Sequence, residues 1–126
     1  MMNEKIQEPE QNLHGLGVGY VYGQLSREGH TIFEVNTNAD VAFQILAKKD
    51  DEFVSVAIRT AQYPDRGSIN RAECEQLIKV SEKLDSVPCF AGLTARSLNA
   101  SDKMAGVNNG EEYQMSSNGI TIIEEC

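Results

Sequence analysis

The stretch Asp51–Gln62, DEFVSVAIRTAQ, decides the fold, because it has the composition of a buried strand. Strict alternation places its β-branched residues on one face and small residues on the other. Arg59 lies on the face of the small residues, close to the middle of the stretch. A permanently charged guanidinium at that position indicates a cleft, a partner surface or solvent beside the strand.

Two further strands are predicted upstream of this stretch. Residues 30–36, HTIFEVN, are rich in β-branched and aromatic side chains, and residues 40–48, DVAFQILAK, alternate in polarity. The turn formers NTNAD and KKDDE separate the three runs. The sequence therefore predicts an antiparallel meander of three strands.

Helices are predicted on both sides of the meander. Apolar residues recur at helical spacing over residues 13–27, and Gly29 follows where a helix stop is expected. Gly15, Gly19 and Gly23 are four residues apart, so we expect them to line one smooth face against another backbone. Because several glycines weaken a helix, an irregular start before Val18 is expected.

The second helix has a clear start signal. Asn70 and Glu73 have the spacing of a capping box. Residues 88–98, PCFAGLTARSL, then predict another buried strand. The last 15 residues, EYQMSSNGITIIEEC, are typical of a hairpin with Asn118 and Gly119 at its turn.

The predicted fold class is α+β, with an αβββαβ core and a C-terminal hairpin. A central mixed sheet flanked by two helices would give one three-layer domain. We expect residues 12–126 to form this globular domain and residues 1–11 to be a flexible N-terminal segment.

Composition limits the partners. The chain of 126 residues has 11 basic and 19 acidic side chains, a net charge of -8 at pH 7. That charge disfavours nucleic acid and favours a basic protein partner. No leader-like or membrane-spanning apolar run is found, so we expect a cytoplasmic protein with no membrane contact.

The cysteines and histidines argue against a thiolate or imidazole metal site. Cys74, Cys89 and Cys126 are widely spaced and form no C-x-x-C pair, so we expect packed or idle thiols rather than a disulfide framework. His14 and His30 are too few for a histidine-rich metal centre. Any metal would have to be held by carboxylates.

The order helix, three strands, helix, strand over residues 13–96 resembles the core of the PD-(D/E)xK nuclease superfamily. This is the restriction-endonuclease-like fold, which includes archaeal Holliday junction resolvases. In that family an Asp opens the second strand, as Asp40 does here. An acidic residue and a Lys stand two apart on the third strand, where this chain has Ala57 and Arg59.

The resemblance therefore implies a nuclease-like domain that lacks two catalytic groups. Ala57 cannot bind Mg²⁺ or Mn²⁺, and Arg59 stays protonated and cannot act as a general base. A relocated acid would be needed for cleavage, and Glu75 on the second helix is the first candidate. The other candidates are Glu28, Asp51 and Glu52. The candidate catalytic residues are thus Asp40, Arg59 and Glu75, with no metal site assigned and no cofactor expected unless the nuclease alternative holds.

The same reasoning predicts a binding cleft around Arg59. Its expected members are Asp40, Gln44, Ser55, Arg59 and Gln62. One interpretation is an ion pair between Arg59 and Asp40 that replaces the metal and seals the cleft. The other is an anion or partner-peptide site formed by Arg59, Gln44 and Gln62.

The sequence is compatible with three functions. The first is a catalytically silent, nuclease-like binding or regulatory module, such as an inhibitor or immunity-type protein for a basic partner. The second is a metal-dependent DNA or RNA nuclease with a relocated acid, and the third is an unrelated small α+β protein. The isoleucines near the C-terminus also predict a hairpin that docks on the core or pairs across a homodimer edge.

Overall fold

The computed structural model describes residues 9–97 and 113–126, and it confirms the predicted α+β class. The elements in chain order are α1 Pro9–Arg27, β1 Thr31–Val35, β2 Ile45–Lys49, β3 Glu52–Gln62, α2 Arg71–Leu84, β4 Ser86–Ser97 and β5 Tyr113–Ile122. Residues 98–112 and most of the predicted N-terminal segment lie outside the described residues.

The five strands form one mixed sheet in the order β1-β2-β3-β4-β5. β1, β2 and β3 pair antiparallel, as the meander prediction requires. β3 and β4 pair parallel, with α2 as the connection between them, and β5 adds antiparallel to β4.

β3 is the central strand, and it is paired unequally along its two sides. β4 accompanies it from Phe53 to Gln62, whereas β2 accompanies it only from Glu52 to Val56. One side of the second half of β3 therefore has no paired strand within the described sheet, and we call it the free side of β3. The chain segment that precedes β2 covers this side, and this arrangement creates the site described below.

α1 packs on one face of the sheet through Val18, Val21 and Leu25. Burial of these three side chains stabilises the domain by roughly 1.5 to 3 kcal/mol for each side chain. The sheet contributes Ile45, Ala47, Val56, Ile58, Cys89, Ala91 and Leu93 to the same core.

The glycine prediction for α1 is wrong in its choice of residues. Gly15 and Gly19 face open space, and Gly17 is the position where the helix approaches the sheet closely. A Cβ at Gly17 would overlap Oγ1 of Thr60. α1 is also helical from Pro9 onward, so the expected irregular start before Val18 is not found.

α2 begins as predicted, with a complete capping box. Oδ1 of Asn70 accepts a hydrogen bond from the Glu73 amide at 2.8 Å, and Oε1 of Glu73 accepts one from the Asn70 amide at 2.9 Å. The helix lies on the sheet face opposite α1. Its Ser81 carbonyl accepts a hydrogen bond from Ser86, whose hydroxyl is also bonded to Ser55. Ser55 points to the face opposite its neighbour Val56, which packs in the core with α1. The two helices and the sheet thus form three layers.

Two strand boundaries differ from the prediction. β2 begins at Ile45, so Asp40 lies in the preceding loop and not at the start of a strand. β5 is one continuous strand instead of a hairpin. Asn118 and Gly119 stand opposite the single residue Gly92 in a bulge, where Gly119 has a φ of 101°.

The cysteines also correct the expectation of free thiols. Cys74 and Cys126 form a disulfide with an S–S distance of 2.08 Å across 52 residues of sequence. Cys89 is a buried free thiol. Burial raises the pKa of Cys89 to about 11, with a smaller effect from the negative charge of Glu52.

Neither described helix combines the length and the apolar character that crossing a membrane requires.

Candidate functional site

A cavity of about 400 Å³ opens at the free side of β3, and we call it the Arg59 cavity. Its walls are the loop before β2 and the start of α2, and Arg59 lies between them. The lining residues are Ala39, Asp40, Val41, Ala42, Arg59, Ile69, Asn70, Ala72, Glu73 and Gln76.

Arg59 is held in place by two hydrogen bonds and one ion pair. Its Nη1 donates to the Ile58 carbonyl at 2.9 Å and to Oε1 of Gln44 at 3.2 Å. Its Nη2 lies 3.6 Å from Oε2 of Glu73. The side chain is only 15 % exposed, so the guanidinium is fixed at the base of the cavity.

Gln44 links the loop before β2 to β3. It is fully buried, and its Oε1 accepts from the Ile58 amide at 2.7 Å in addition to Arg59. Its Nε2 donates to the carbonyls of Asn38 at 3.0 Å and Val41 at 3.3 Å. Both amide hydrogens are therefore used within the protein, and none is left for an anion.

Asp40 lines the cavity without binding Arg59. It is exposed, and its amide donates to Oδ1 of Asn38 at 2.8 Å, which shapes the loop as an Asx turn. Among the residues that the structure describes, Glu73 is the carboxylate within 4.0 Å of Arg59, and Asp40 is not. The prediction of an Arg59 to Asp40 ion pair is wrong.

Three other predicted residues lie outside the cavity. Ser55 is buried under α2 and bonded to Ser86, and Gln62 is exposed at the end of β3. Glu75 points to a different surface, where its carboxylate accepts from Nε of Arg71 at 3.1 Å. Of the five predicted cleft residues, the structure brings together Asp40, Gln44 and Arg59.

Sequence reasoning missed Glu73, Asn70 and Gln76 as cavity residues. A signal was present, because the capping box identified Asn70 and Glu73 as the start of the helix that follows β3. A residue that caps this helix must lie near the end of β3, which is where Arg59 stands.

His14 adds an uncharged group near Arg59. Its side chain is 5 % exposed, and its Nε2 has no hydrogen-bond partner among the described residues. Burial lowers the pKa of His14 from its ordinary value of 6.5, and the positive charge of Arg59 lowers it further. The imidazole is therefore neutral at pH 7.

Residues 11–123 match the model of a family described as a domain of unknown function, DUF8840. The chain belongs to this family. Comparison with curated proteins gives no match. Every lining residue of the Arg59 cavity falls inside the matched DUF8840 region, whereas Cys126 lies beyond it.

The cavity of this DUF8840 domain presents two carboxylates, from Asp40 and Glu73, and the one guanidinium of Arg59, which is paired with Glu73. The charged lining therefore carries one more negative than positive charge, and Asp40 is the carboxylate that does not pair with Arg59. In residues 9–97 and 113–126, no group of three or more His, Cys, Asp or Glu side chains gathers as a metal site. The arrangement is suited to receive a hydrogen-bond donor with a positive charge.

Proposed function

We propose that this protein is a catalytically silent, nuclease-like binding module that accepts an arginine or lysine side chain of a basic partner protein in the Arg59 cavity. The observation that carries the proposal is the placement of Asp40 and Glu73 in one cavity around an Arg59 that is hydrogen-bonded to Gln44 and Ile58 and paired with Glu73. A cationic side chain would find two acceptors there and would enter an acidic protein.

The local charge supports a basic ligand over an anionic one. Two carboxylates line the cavity against one guanidinium, and that guanidinium is held by Gln44, Ile58 and Glu73. The net charge of -8 extends the same preference over long range and speeds the approach of a basic partner. The proposal includes the cytoplasmic location expected from the sequence.

The nuclease resemblance enters the proposal through two positions on β3. The acid that the family would use is replaced by Ala57, which is buried and has no ligating atom. The family Lys is replaced by Arg59, which keeps its proton. Binding without cleavage is the outcome that these replacements favour.

The alternative is a metal-dependent nuclease in which Glu73 serves as the relocated acid. One observation favours it: Asp40 and Glu73 line the same cavity, and carboxylates are the ligands that Mg²⁺ and Mn²⁺ take. Glu75, the relocated acid expected from the sequence, lines a different surface.

Ligand titration followed by amide resonances tests the proposal. Acetyl-arginine amide and acetyl-lysine amide should shift the amides of Asp40, Asn70 and Glu73, and acetyl-glutamine amide should not. An Asp40→Asn, Glu73→Gln double variant should lose the response, since the amide of Gln preserves the capping oxygen but removes the charge. A Glu28→Gln, Glu82→Gln double variant removes the same charge elsewhere and should respond like the wild type.

The same protein samples distinguish cation binding from the nuclease alternative. A rise in melting temperature with Mg²⁺ or Mn²⁺ that disappears in Asp40→Asn, together with strand cleavage of DNA or RNA, would replace binding by nuclease chemistry. Equal shifts with the cationic and neutral amides would remove the cationic-ligand proposal.

A further inference from the structure

The Cys74–Cys126 disulfide does not line the Arg59 cavity and has no role in the proposed function. Cys126 is exposed, whereas Cys74 is 8 % exposed in the first turns of α2. A disulfide with one exposed cysteine residue can be reached by a thiol without unfolding of the core.

The segment that carries Cys126 has few other attachments. β5 ends at Ile122, and the Ile123 amide donates to the Pro88 carbonyl at 2.9 Å. Glu124 and Glu125 after it are exposed. α2, by contrast, is fixed by its capping box and by buried Leu77 and Ser81. We therefore expect that opening the disulfide releases the residues after Ile123 and leaves the sheet and α2 in place.

The surroundings of Cys126 are acidic. Cys126 lines a shallow cavity together with Arg71, Glu75, Ile78, Glu124 and Glu125. Three carboxylates face one guanidinium there, and that guanidinium is already paired with Glu75 at 3.1 Å. An approaching thiol therefore meets a negative potential at the bond that it must attack.

We propose that the Cys74–Cys126 disulfide is a thiol–disulfide exchange site that selects cationic thiols or thiols on basic protein surfaces. The incoming thiolate forms a bond with Sγ of Cys126 while the bond between Cys126 and Cys74 breaks. Cys74 leaves as a thiolate and takes up a proton. A second thiolate then attacks the mixed disulfide, which releases Cys126 and oxidises two reductant thiols to one disulfide.

The chemistry of exchange agrees with this direction of attack. The attacked sulfur must be accessible to the thiolate, and Cys126 is the more exposed of the two cysteines. Cys89 is excluded from the reaction because its thiol is buried and its pKa is raised to about 11 by burial. The cavity that Cys126 lines is separate from the Arg59 cavity, although Cys74 follows Glu73 in α2.

Reduction kinetics of the full chain test the proposal, with cysteamine as the cationic thiol and 2-mercaptoethanesulfonate as the anionic thiol. At low salt we expect the cationic thiol to react about tenfold faster, after correction for its rate on a neutral small disulfide, and the ratio should fall as salt screens the carboxylates. The mixed disulfide, trapped by acid and mapped by peptide mass, should be on Cys126.

Charge variants provide the matched control. A Glu124→Gln, Glu125→Gln double variant should lower the ratio of the two rates, and Glu28→Gln, Glu82→Gln should not change it. Far-UV circular dichroism at 25 °C should be the same before and after reduction. Protein purified without reductant should have one titratable thiol when denatured.

Four results would overturn the proposal. The first two are three titratable thiols in the denatured protein and a mixed disulfide on Cys74. The third is a rate ratio that changes neither with salt nor in the Glu124→Gln, Glu125→Gln variant. The fourth is loss of the native circular dichroism spectrum on reduction. The last result would make the disulfide a structural cross-link instead of an exchange site.

Discussion

A single buried amide organises the Arg59 cavity. Gln44 joins the loop before β2, the β3 backbone and the guanidinium of Arg59 through four hydrogen bonds. Since Gln44 is uncharged and fully buried, its contribution to stability depends on hydrogen-bonding every polar atom around it.

Replacement of Gln44 by Leu is therefore expected to destabilise the protein. The Ile58 amide and one N–H of Arg59 would lose their acceptor in a buried place, which we expect to cost about 2 to 4 kcal/mol of unfolding free energy. Urea denaturation measures the loss. Gln62→Leu is the control, because Gln62 is exposed at the end of β3 and its replacement should change stability by less than about 0.5 kcal/mol.

Asp40→Ala checks the ion-pair assignment in the same assay. The structure predicts a change below about 0.5 kcal/mol, since Asp40 is an exposed loop residue that does not pair with Arg59. A loss of about 3 to 5 kcal/mol would instead indicate that Asp40 neutralises a buried Arg59.

His14 makes stability depend on pH. Its pKa is lowered in the folded state by burial, so the unfolded chain binds the proton more strongly. The contribution is fully present above the ordinary pKa of 6.5 and is lost as the pH falls from there through the lowered folded-state value.

We expect the unfolding free energy, measured from about pH 7.5 down to about pH 5, to fall less steeply in His14→Gln than in the wild type. His30→Gln is the matched control, because Nδ1 of His30 lies 3.3 Å from the Leu25 carbonyl at a partly buried site. Parallel pH curves for wild type and His14→Gln would contradict the assignment.

At the scale of the element, the close packing of α1 on β3 depends on one glycine, Gly17. Gly17→Ala should destabilise the domain, because the new methyl group would overlap Thr60 and push the helix away from the sheet. Gly15→Ala and Gly19→Ala are expected to stabilise it by about 0.5 to 1 kcal/mol, since both positions face open space in a helix. Thermal unfolding of the three variants compares them directly, and equal effects would contradict the observed packing of α1.

The elements also differ in how far sequence could predict them. β3 and α2 were predictable, because alternation and a capping box are local signals. The strand pattern over residues 40–48 was misleading, because Gln44 bonds to β3 through its side chain and holds residues 40–44 in a loop. Asn118 and Gly119 have the composition of a turn, but the same backbone freedom also suits a bulge.

The parts of the site that sequence could not predict depend on distant contacts. The partner of Arg59 is decided by which residue in the first turn of α2 reaches back over β3, and Glu73 does so while Glu75 does not. The disulfide joins residues 52 apart, and no local pattern relates them. The missing information is the packing of α2 on the sheet.

At the scale of the whole molecule, both edges of the described sheet are open. β5 docks on β4, and Ile120 packs against the core, whereas Ile122 is 63 % exposed at the edge. Association of two chains along β5 stays a prediction, and the net charge of -8 opposes it at low salt.

We therefore expect light scattering at micromolar concentration to detect a dimer whose fraction rises with salt. Ile122→Lys should give monomers, because it places a charge on the exposed apolar edge. Thr121→Lys is the control, since Thr121 is also exposed but lies on the other face of β5. A monomer at every salt concentration would rule out the dimer.

The order of the strands in the sheet is the order in which a ribosome makes them. The nascent chain can therefore assemble α1 with β1, β2 and β3 from neighbouring segments as soon as Gln62 has left the exit tunnel. The parallel partner of β3 arrives only after α2 has been synthesised, and β5 is added last. During translation, the side of β3 that will receive β4 is the surface that a chaperone would have to protect.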